Sequence, residues 1–261
     1  WTSFNPGTLD SEELKLIEEP LAAYFARHTM TQLYALAVSS NLMLAPANGA
    51  AAILASEQLL ARNMFTAVGN IKQCPARFFI ARDAQHNPIN GTAPSPAPEF
   101  DSGPWPHWPA RKAFSPLPDR RASPSDGAWQ GLKLVEFGSG AAGPIVSRYF
   151  NEHGATVIKV ESRRHPDFLR VMAAGSPQGL EGSTLFDALN AGKHSITLNL
   201  RHPAGREIAR QLIHWADAVL ENFAPKAMQS YGLDYAQMAA EKPDLLMLST
   251  CLNGQTGPHK D

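Results

Sequence analysis

The chain has 261 residues, which is enough for one large domain or two smaller ones. Its 23 basic residues nearly balance its 24 acidic ones, so the charge indicates neither a nucleic-acid partner nor an acidic disordered tail. It contains two cysteines and no apolar run near the roughly 20 residues of a membrane span, so we expect no disulfide framework and no membrane partner, and we predict a cytoplasmic location.

Residues 1–87 are predicted to form a mainly helical α+β segment. "SEELKLIEEPLAAYFARH" places its apolar residues on one helical face, and Pro20 within it is expected to kink or divide the helix. "TMTQLYALAVSS" has Thr29 followed by Gln32, the pattern of a capping box. "LMLAP" predicts a short strand, "AAAILASEQLLARNMF" a third helix and "ARFFIAR" a further β-like run.

Residues 88–126 form a proline-rich connector. Proline removes backbone amide donors and favours extended backbone, while Trp105, Trp108 and Phe114 are aromatic residues of the kind that pack against a surface. The composition favours an extended strap lying on a domain surface, and the alternative is a disordered tether.

Residues 127–261 alternate between strand and helix patterns. "LKLVEF", "TVIKVE", "HSITLNL", "DAVLENF" and "DLLMLST" read as strands. "GPIVSRYFNEHG" predicts a helix closed by Gly154, and "HPAGREIARQLIHWA" predicts a helix with Pro203 in its first turn. This alternation predicts the α/β fold class, with a Rossmann-like parallel sheet and flanking helices.

A glycine turn, Gly138-x-Gly140-x-x-Gly143, follows the first of these strands. Glycine lets backbone approach a ligand closely, and the free amides at the start of the next helix favour an anion. The second strand ends on Glu161, which completes the order of a dinucleotide-binding unit. An NAD(P)-dependent oxidoreductase, another phosphate-bearing ligand and a tight turn without ligand all fit this pattern.

Several longer stretches resemble the class III CoA-transferase family, which includes formyl-CoA transferases, carnitine CoA-transferases and α-methylacyl-CoA racemases. They are "GAAGPIVSRYFNEHGATVIKVE", "PDFLR", "LNAGKHSITLNLRHPAGREIARQLIHWADAVLENFAPKAMQSYGLDY" and "GQTGP". The resemblance implies coenzyme A (CoA) as substrate or product, with an acyl-CoA and a carboxylic acid acceptor as partners. It also implies two chains threaded through each other, so we expect a homodimer or an intramolecular pairing of two copies.

The resemblance also implies which residues contact CoA. Ser162 and Ser230 stand where the family often has basic residues, and Leu252 with Asn253 replaces a glycine-phenylalanine pair. The implied contacts are Ala141, Ala142, Arg163, Arg170, Leu198, Asn222 and Phe223.

No catalytic residue is assigned within the chain, because the family's catalytic aspartate is expected downstream of Asp261. In the transferases that carboxylate attacks the thioester, giving a mixed anhydride and then an aspartyl-CoA intermediate. In the racemases a histidine and an aspartate exchange the α-proton instead. Asp261 itself is interpreted as a solvated loop carboxylate. We expect the chain, which starts at Trp1 and is interpreted as a fragment, to bind CoA weakly or not at all and to be inactive alone.

Residues 1–87 resemble the C-terminal part of the same family, although they precede the N-terminal part. The order predicts a tandem fusion of two copies, joined by the connector; circular permutation is the alternative, and a CoA-transferase/lyase is one possible subtype.

The remaining polar residues carry weaker predictions. The histidines lack a common metal-ligand spacing, so no metal site is predicted. Lys159 and Lys193 are placed either near the CoA phosphates or in solvent, Glu161 is interpreted as a structural acid, and Cys251 as a buried small apolar group.

Overall fold

The computed structural model describes residues 10–40, 42–76, 79–83, 85, 87, 89 and 127–260, arranged in two compact units that divide between Ala55 and Ser56. The predicted strap over residues 88–126 therefore lies outside the described residues, apart from position 89. Within the described part of the chain, no helix is long and apolar enough to cross a membrane.

The described part of the first unit consists of three helices. They are α1 (Ser11–Phe25), α2 (Met30–Ser39) and α3 (Ala50–Leu54). The predicted capping box at Thr29 and Gln32 is confirmed at the start of α2. Pro20 lies within α1 and does not divide it. The strand predicted at "LMLAP" is wrong, because residues 42–46 form no strand.

The second unit begins with a short helix and a hairpin. Helix α4 (Glu57–Ala61) starts at Ser56, whose side chain accepts a hydrogen bond from the amide of Leu59. This cap divides the predicted third helix into α3 and α4. Strands β1 (Phe65–Val68) and β2 (Ile71–Pro75) then form an antiparallel pair.

Five parallel strands form the central sheet. They are β3 (Lys133–Phe137), β4 (Thr156–Glu161), β5 (His194–Thr197), β6 (Ala218–Glu221) and β7 (Leu246–Ser249). Their spatial order is β5-β4-β3-β6-β7, which in chain order is 3-2-1-4-5, the order of doubly wound folds. The predicted α/β fold class, with a parallel sheet and flanking helices, is confirmed, and the switch point of the sheet lies between β3 and β6.

Helices connect these strands. They are α5 (Ala142–Glu152), α6 (Phe168–Met172), α7 (Thr184–Asn190), α8 (Pro203–Trp215), α9 (Pro225–Tyr231) and α10 (Tyr235–Glu241), with a 3₁₀ turn at Gly179–Glu181. Pro203 lies in the first turn of α8, as predicted, where its missing amide leaves no helical hydrogen bond unmade. Gly154 follows α5 with φ of 101°, a left-handed conformation that glycine adopts without strain.

The core lies along the two central strands. Val135 and Phe137 of β3 and Val219 of β6 are almost fully buried, and they belong to one cluster with Ile213 of α8 and Met238 of α10. Strands covered on both faces have short apolar runs, such as Leu134-Val135 in β3 and Ala218-Val219-Leu220 in β6. This packing fixes the carboxyl ends of β3 and β6, from which the glycine turn and the "ENF" segment emerge.

Candidate functional site

A crevice of about 160 Å³ opens at the carboxyl ends of the sheet strands. In doubly wound sheets, ligands bind at this edge near the switch point. Most of the crevice wall is apolar. The apolar lining residues are Phe137, Val160, Leu198, Leu200, Phe223 and Tyr231.

The rim of the crevice is basic. Arg164, His165 and Arg201 line it, and Arg163 lines a shallower depression beside it that shares Arg164 and Leu198. All four basic side chains belong to exposed residues, and no described carboxylate forms an ion pair with the three arginines. An apolar slot bordered by unpaired guanidinium groups suits a ligand that joins a flat ring to phosphates.

The glycine turn lies beside this crevice and is held tightly. Gly140 has φ of 73°, and a Cβ there would overlap the ring of Phe168, so both the backbone and the space require glycine. The side chain of Asn222 accepts a hydrogen bond from the Ser139 amide and donates one to the Ser139 carbonyl, both at 2.8 Å. Asn222 therefore pins the turn to the end of β6.

A buried group of charged side chains supports the turn from below. Glu136 and Lys159 are register partners on β3 and β4, and their charged atoms are 2.9 Å apart. The Glu136 carboxylate also pairs with Lys193 at 2.9 Å and accepts a hydrogen bond from Ser147 at 2.5 Å. Lys159 lies 3.3 Å from Asp167. Two lysines thus balance two carboxylates in a region with almost no solvent exposure.

Both lysines also bind the backbone of the turn. Lys159 donates to the Gly138 carbonyl at 2.7 Å, and Lys193 donates to the Pro144 carbonyl at 3.0 Å. Burial lowers the pKa of Lys193, although Glu136 beside it acts in the opposite direction. The lysines therefore shape the turn from inside, and neither is a solvated surface group.

Some amides of the turn are bonded within the protein and others are not. Asp167 accepts hydrogen bonds from the amides of Gly140 and Leu169 at 3.0 Å, and the Asn222 side chain accepts one from the amide of Ser139. Pro144 has no amide to offer. Within the described residues, the amides of Ala141 and Ala142 have no acceptor, and they lie at the exposed start of α5. An anion would therefore bind at the start of α5.

Glu161, at the end of β4, is engaged by the protein itself. Its carboxylate pairs with Arg170 at 2.9 Å and accepts a hydrogen bond from Ser195 at 2.8 Å. Arg170 also pairs with Glu181 at 2.6 Å, and its guanidinium carbon lies 3.6 Å from the ring centre of Phe186. These contacts agree with the interpretation of Glu161 as a structural acid.

A second polar cluster lies where β6 ends. Glu221 is 2% exposed and accepts hydrogen bonds from the Phe223 amide at 2.9 Å and the Gln255 side chain at 3.1 Å. Burial raises the pKa of Glu221. Burial also raises the pKa of the nearby Cys251 thiol, which disfavours a nucleophilic thiolate.

The residues implied by the family resemblance fall in different places. Leu198 and Phe223 line the crevice, and Arg163 lines the depression beside it. Ala141 and Ala142 start α5, Asn222 holds the turn, and Arg170 lies in ion pairs outside the crevice lining.

Sequence reasoning missed Arg164 and Arg201 on the rim. Both lie within four residues of the carboxyl end of a strand, Arg164 after β4 and Arg201 after β5, and this position in the sequence could have indicated a ligand site. Tyr231, on the apolar wall, ends α9 and had no such signal. Within the described residues, no cluster of three or more histidine, cysteine, aspartate or glutamate side chains could hold a metal ion.

Comparison with known proteins identifies relatives of this chain. Succinate–glutarate CoA-transferase of Agrobacterium fabrum is 35% identical over 135 residues, covering 50% of this chain and 34% of that protein. Probable CoA-transferase Rv1866 of Mycobacterium tuberculosis is 30% identical over 217 residues, covering 79% of this chain and 26% of that protein. A CAIB/BAIF family protein from Brucella suis, known from its crystal structure, is 39% identical with a TM-score of 0.47, covering 52% of this chain and 36% of that one.

The chain thus spans between about a quarter and just over a third of the length of these relatives. The model of CoA-transferase family III matches residues 129–261, which include the whole parallel sheet and the glycine turn. With just over half of its length matched in this way, the chain belongs to CoA-transferase family III.

Proposed function

We propose that residues 127–260 bind the CoA moiety of an acyl-CoA thioester, in a protein that transfers CoA to a carboxylic acid. The observation that carries the proposal is the crevice, where an apolar slot meets three arginines that form no ion pair with any carboxylate in the described part of the chain. CoA combines an adenine ring with a diphosphate and a 3′-phosphate, so it requires both features in one site. The two relatives named as CoA-transferases support the same substrate.

The crevice suggests where each part of CoA binds. Adenine would lie in the slot against Leu198 and Phe223. The phosphates would be held by Arg163, Arg164 and Arg201 together with the unbonded amides at the start of α5, because guanidinium groups and helix amides both bind phosphate oxygens. Arg170 is already neutralised by two glutamates, so we assign it to positioning the end of β4.

The same geometry argues against an NAD(P)-dependent oxidoreductase. A nicotinamide dinucleotide needs a free acidic side chain at the end of the second strand for its ribose. The Glu161 carboxylate is instead bound by Arg170 and Ser195.

The proposed chemistry is covalent catalysis by an aspartate. Its carboxylate attacks the thioester carbonyl and expels CoA thiolate, and the thiolate then attacks the resulting anhydride at the aspartyl carbonyl, releasing the acyl group as a carboxylate. Glu161 and Asp167 line the crevice, but both are held in ion pairs. We therefore place the nucleophile outside the described residues and expect residues 1–261 alone to be inactive.

An acyl-CoA racemase or a CoA-transferase/lyase would use the same crevice, because each acts on a CoA thioester. The products distinguish the three: a new thioester, an inverted α-carbon or an alkene. Transfer is the form that the names of the relatives favour, since both the Agrobacterium fabrum and the Mycobacterium tuberculosis protein are named as CoA-transferases.

The organisation of the chain supports a tandem fusion as part of this proposal. The match to the Mycobacterium tuberculosis relative covers 79% of this chain, more than residues 127–261 contain, so it extends into the segment before the connector. The matched stretch of 217 residues is only 26% of that relative, whereas 135 residues are 34% of the Agrobacterium fabrum enzyme, so the Mycobacterium tuberculosis protein is roughly twice as long. We propose pairing of two copies, within one chain or as a homodimer, and a cytoplasmic location in which the free thiols of Cys74 and Cys251 stay reduced.

Isothermal titration of residues 1–261 with CoA, dephospho-CoA and NAD tests the binding site. We expect weak saturable heat with CoA, less with dephospho-CoA because the 3′-phosphate is lost, and none with NAD. Heat with NAD and none with CoA would overturn the proposal. Transfer of CoA between two carboxylic acids by the complete polypeptide, followed by mass spectrometry of the thioesters, tests the reaction.

A further inference from the structure

The loop that follows β7, residues 251–259, is held by a helix from the segment before the connector. Gln58 of α4 is 5% exposed, and its amide nitrogen donates to the carbonyls of Asn253 at 2.6 Å and Thr256 at 2.8 Å. Its amide oxygen accepts a hydrogen bond from the backbone amide of His259 at 2.8 Å. One buried side chain thus fixes three points of the loop.

Arg62, one residue after α4 ends, holds the same loop. Its guanidinium donates to the Thr256 hydroxyl at 2.9 Å and to the Thr256 carbonyl at 3.3 Å. These hydrogen bonds are charge-assisted, so each is stronger than a neutral bond of the same geometry.

The loop sequence is fitted to these two side chains. Gly254 and Gly257 have φ of 79° and 97°, conformations that favour glycine. A Cβ at Gly254 would overlap the guanidinium of Arg62, and a Cβ at Gly257 would overlap the amide of Gln58. Both glycines of "GQTGP" are therefore required by backbone conformation and by the approach of α4.

The other side of the loop leads to the crevice. Gln255, between the two glycines, donates to the Glu221 carboxylate at 3.1 Å. The second oxygen of Glu221 accepts the amide of Phe223 at 2.9 Å, and Phe223 lines the crevice wall. A continuous series of hydrogen bonds thus connects α4, through the loop, to a residue of the candidate CoA site.

We propose that Gln58 and Arg62 are positioning residues for the crevice, which fix Phe223 through the loop and Glu221. The segment before the connector then completes the site of the following CoA-transferase unit. The ligand in this inference rests on the proposed function, whereas the coupling of the loop to Phe223 does not.

The variant Gln58→Glu tests the inference because it keeps the size of the side chain and replaces two donated hydrogen bonds by repulsion from two carbonyls. Gln229→Glu, on the exposed face of α9, is the matched control. We measure hydrogen exchange of the amides of residues 252–259 and of Phe223, and CoA affinity by calorimetry. We expect at least tenfold faster exchange at both places and a five- to tenfold loss of CoA affinity, with the control unchanged.

A role confined to stability would lower the unfolding midpoint of Gln58→Glu without changing the CoA affinity of the folded protein. Thr256→Val, which removes the hydroxyl that Arg62 binds, provides a second variant if Gln58→Glu does not fold, and we expect the same changes with smaller size. Unchanged exchange at Phe223 in the variant that folds overturns the inference. If the unsubstituted chain shows no CoA binding, the proposed function fails, and exchange at Phe223 alone decides whether the loop is coupled to the crevice.

Discussion

Replacing Lys159 by methionine isolates the contribution of the buried charges beneath the glycine turn. The Lys159 side chain is 2% exposed and contacts Glu136 at 2.9 Å, Asp167 at 3.3 Å and the Gly138 carbonyl at 2.7 Å. Methionine has nearly the same length and volume, so the change removes a charge without opening a cavity. The interior then contains two carboxylates, Glu136 and Asp167, and one lysine, Lys193.

The size of the effect follows from which carboxylate loses its partner. Lys193 still neutralises Glu136 at 2.9 Å, so the uncompensated charge is that of Asp167, which is 4% exposed. Breaking a buried pair by removing one partner costs about 3–5 kcal/mol. We expect Lys159→Met to lower the unfolding free energy by this amount. Adding Asp167→Asn removes the stranded charge and keeps an oxygen for the Gly140 amide, so the two changes together should cost about 1–3 kcal/mol less than their sum.

Urea unfolding followed by circular dichroism gives the unfolding free energy of the unsubstituted protein, the two single variants and the double variant. Lys72→Met on the exposed strand β2 controls for the loss of a lysine, and we expect it to change the unfolding free energy by less than about 0.5 kcal/mol. Two results would refute the reasoning. One is a cost of Lys159→Met below about 1 kcal/mol, and the other is strict additivity with Asp167→Asn.

Four other substitutions test three separate features. Burial raises the pKa of Glu221 above 4.5 in the folded state, so its contribution to stability is full below about pH 4.5 and is lost as pH rises through the raised pKa. The urea midpoint of the unsubstituted protein should therefore fall between pH 4 and 8, and Glu221→Gln should remove this fall. Arg164→Gln and Arg201→Gln should each weaken CoA binding about fivefold in calorimetry without changing the unfolding midpoint, and the effect should be smaller at high salt. A variant that binds CoA as tightly as the unsubstituted protein would exclude its arginine from the phosphate site. Gly140→Ala should lower the unfolding free energy in urea by about 2–4 kcal/mol, because position 140 has a positive φ and an added Cβ would overlap the ring of Phe168. Gly175→Ala is the control and should leave the unfolding free energy almost unchanged, because a Cβ there meets open space.

The parallel sheet could be predicted from sequence because its signals are local. Each strand is a short β-prone run bounded by turn residues. The longer helices have their own start, such as Pro203 in α8, or end, such as Gly154 after α5. The hairpin of β1 and β2 was missed, although Gly69 and Asn70 form a two-residue turn between two short β-prone runs. Pro20 was weighted too heavily, since α1 continues through it.

The site was less predictable because it depends on register. Glu136 and Lys159 are 23 positions apart in sequence, and nothing local shows that they are partners on adjacent strands. The sequence did contain one indication that Lys159 is buried, because it lies within a strand that is predicted to be covered on both faces. The contacts of Gln58 and Arg62 with the loop after β7 connect positions almost 200 residues apart, which no spacing pattern within one element can show.

The basic rim also bears on whether this copy of the site has degenerated. Ser162 and Ser230 stand where the resemblance leads one to expect basic residues, and Ser230 donates its hydroxyl to the Ala227 carbonyl within α9, so it supplies no charge. A comparison of those two positions alone would conclude that phosphate binding has been lost. Arg164 and Arg201 instead present two cations to the same crevice from the ends of neighbouring strands. A phosphate is bound by a guanidinium group wherever the chain places it, so the proposed CoA site keeps two cationic groups in a different arrangement.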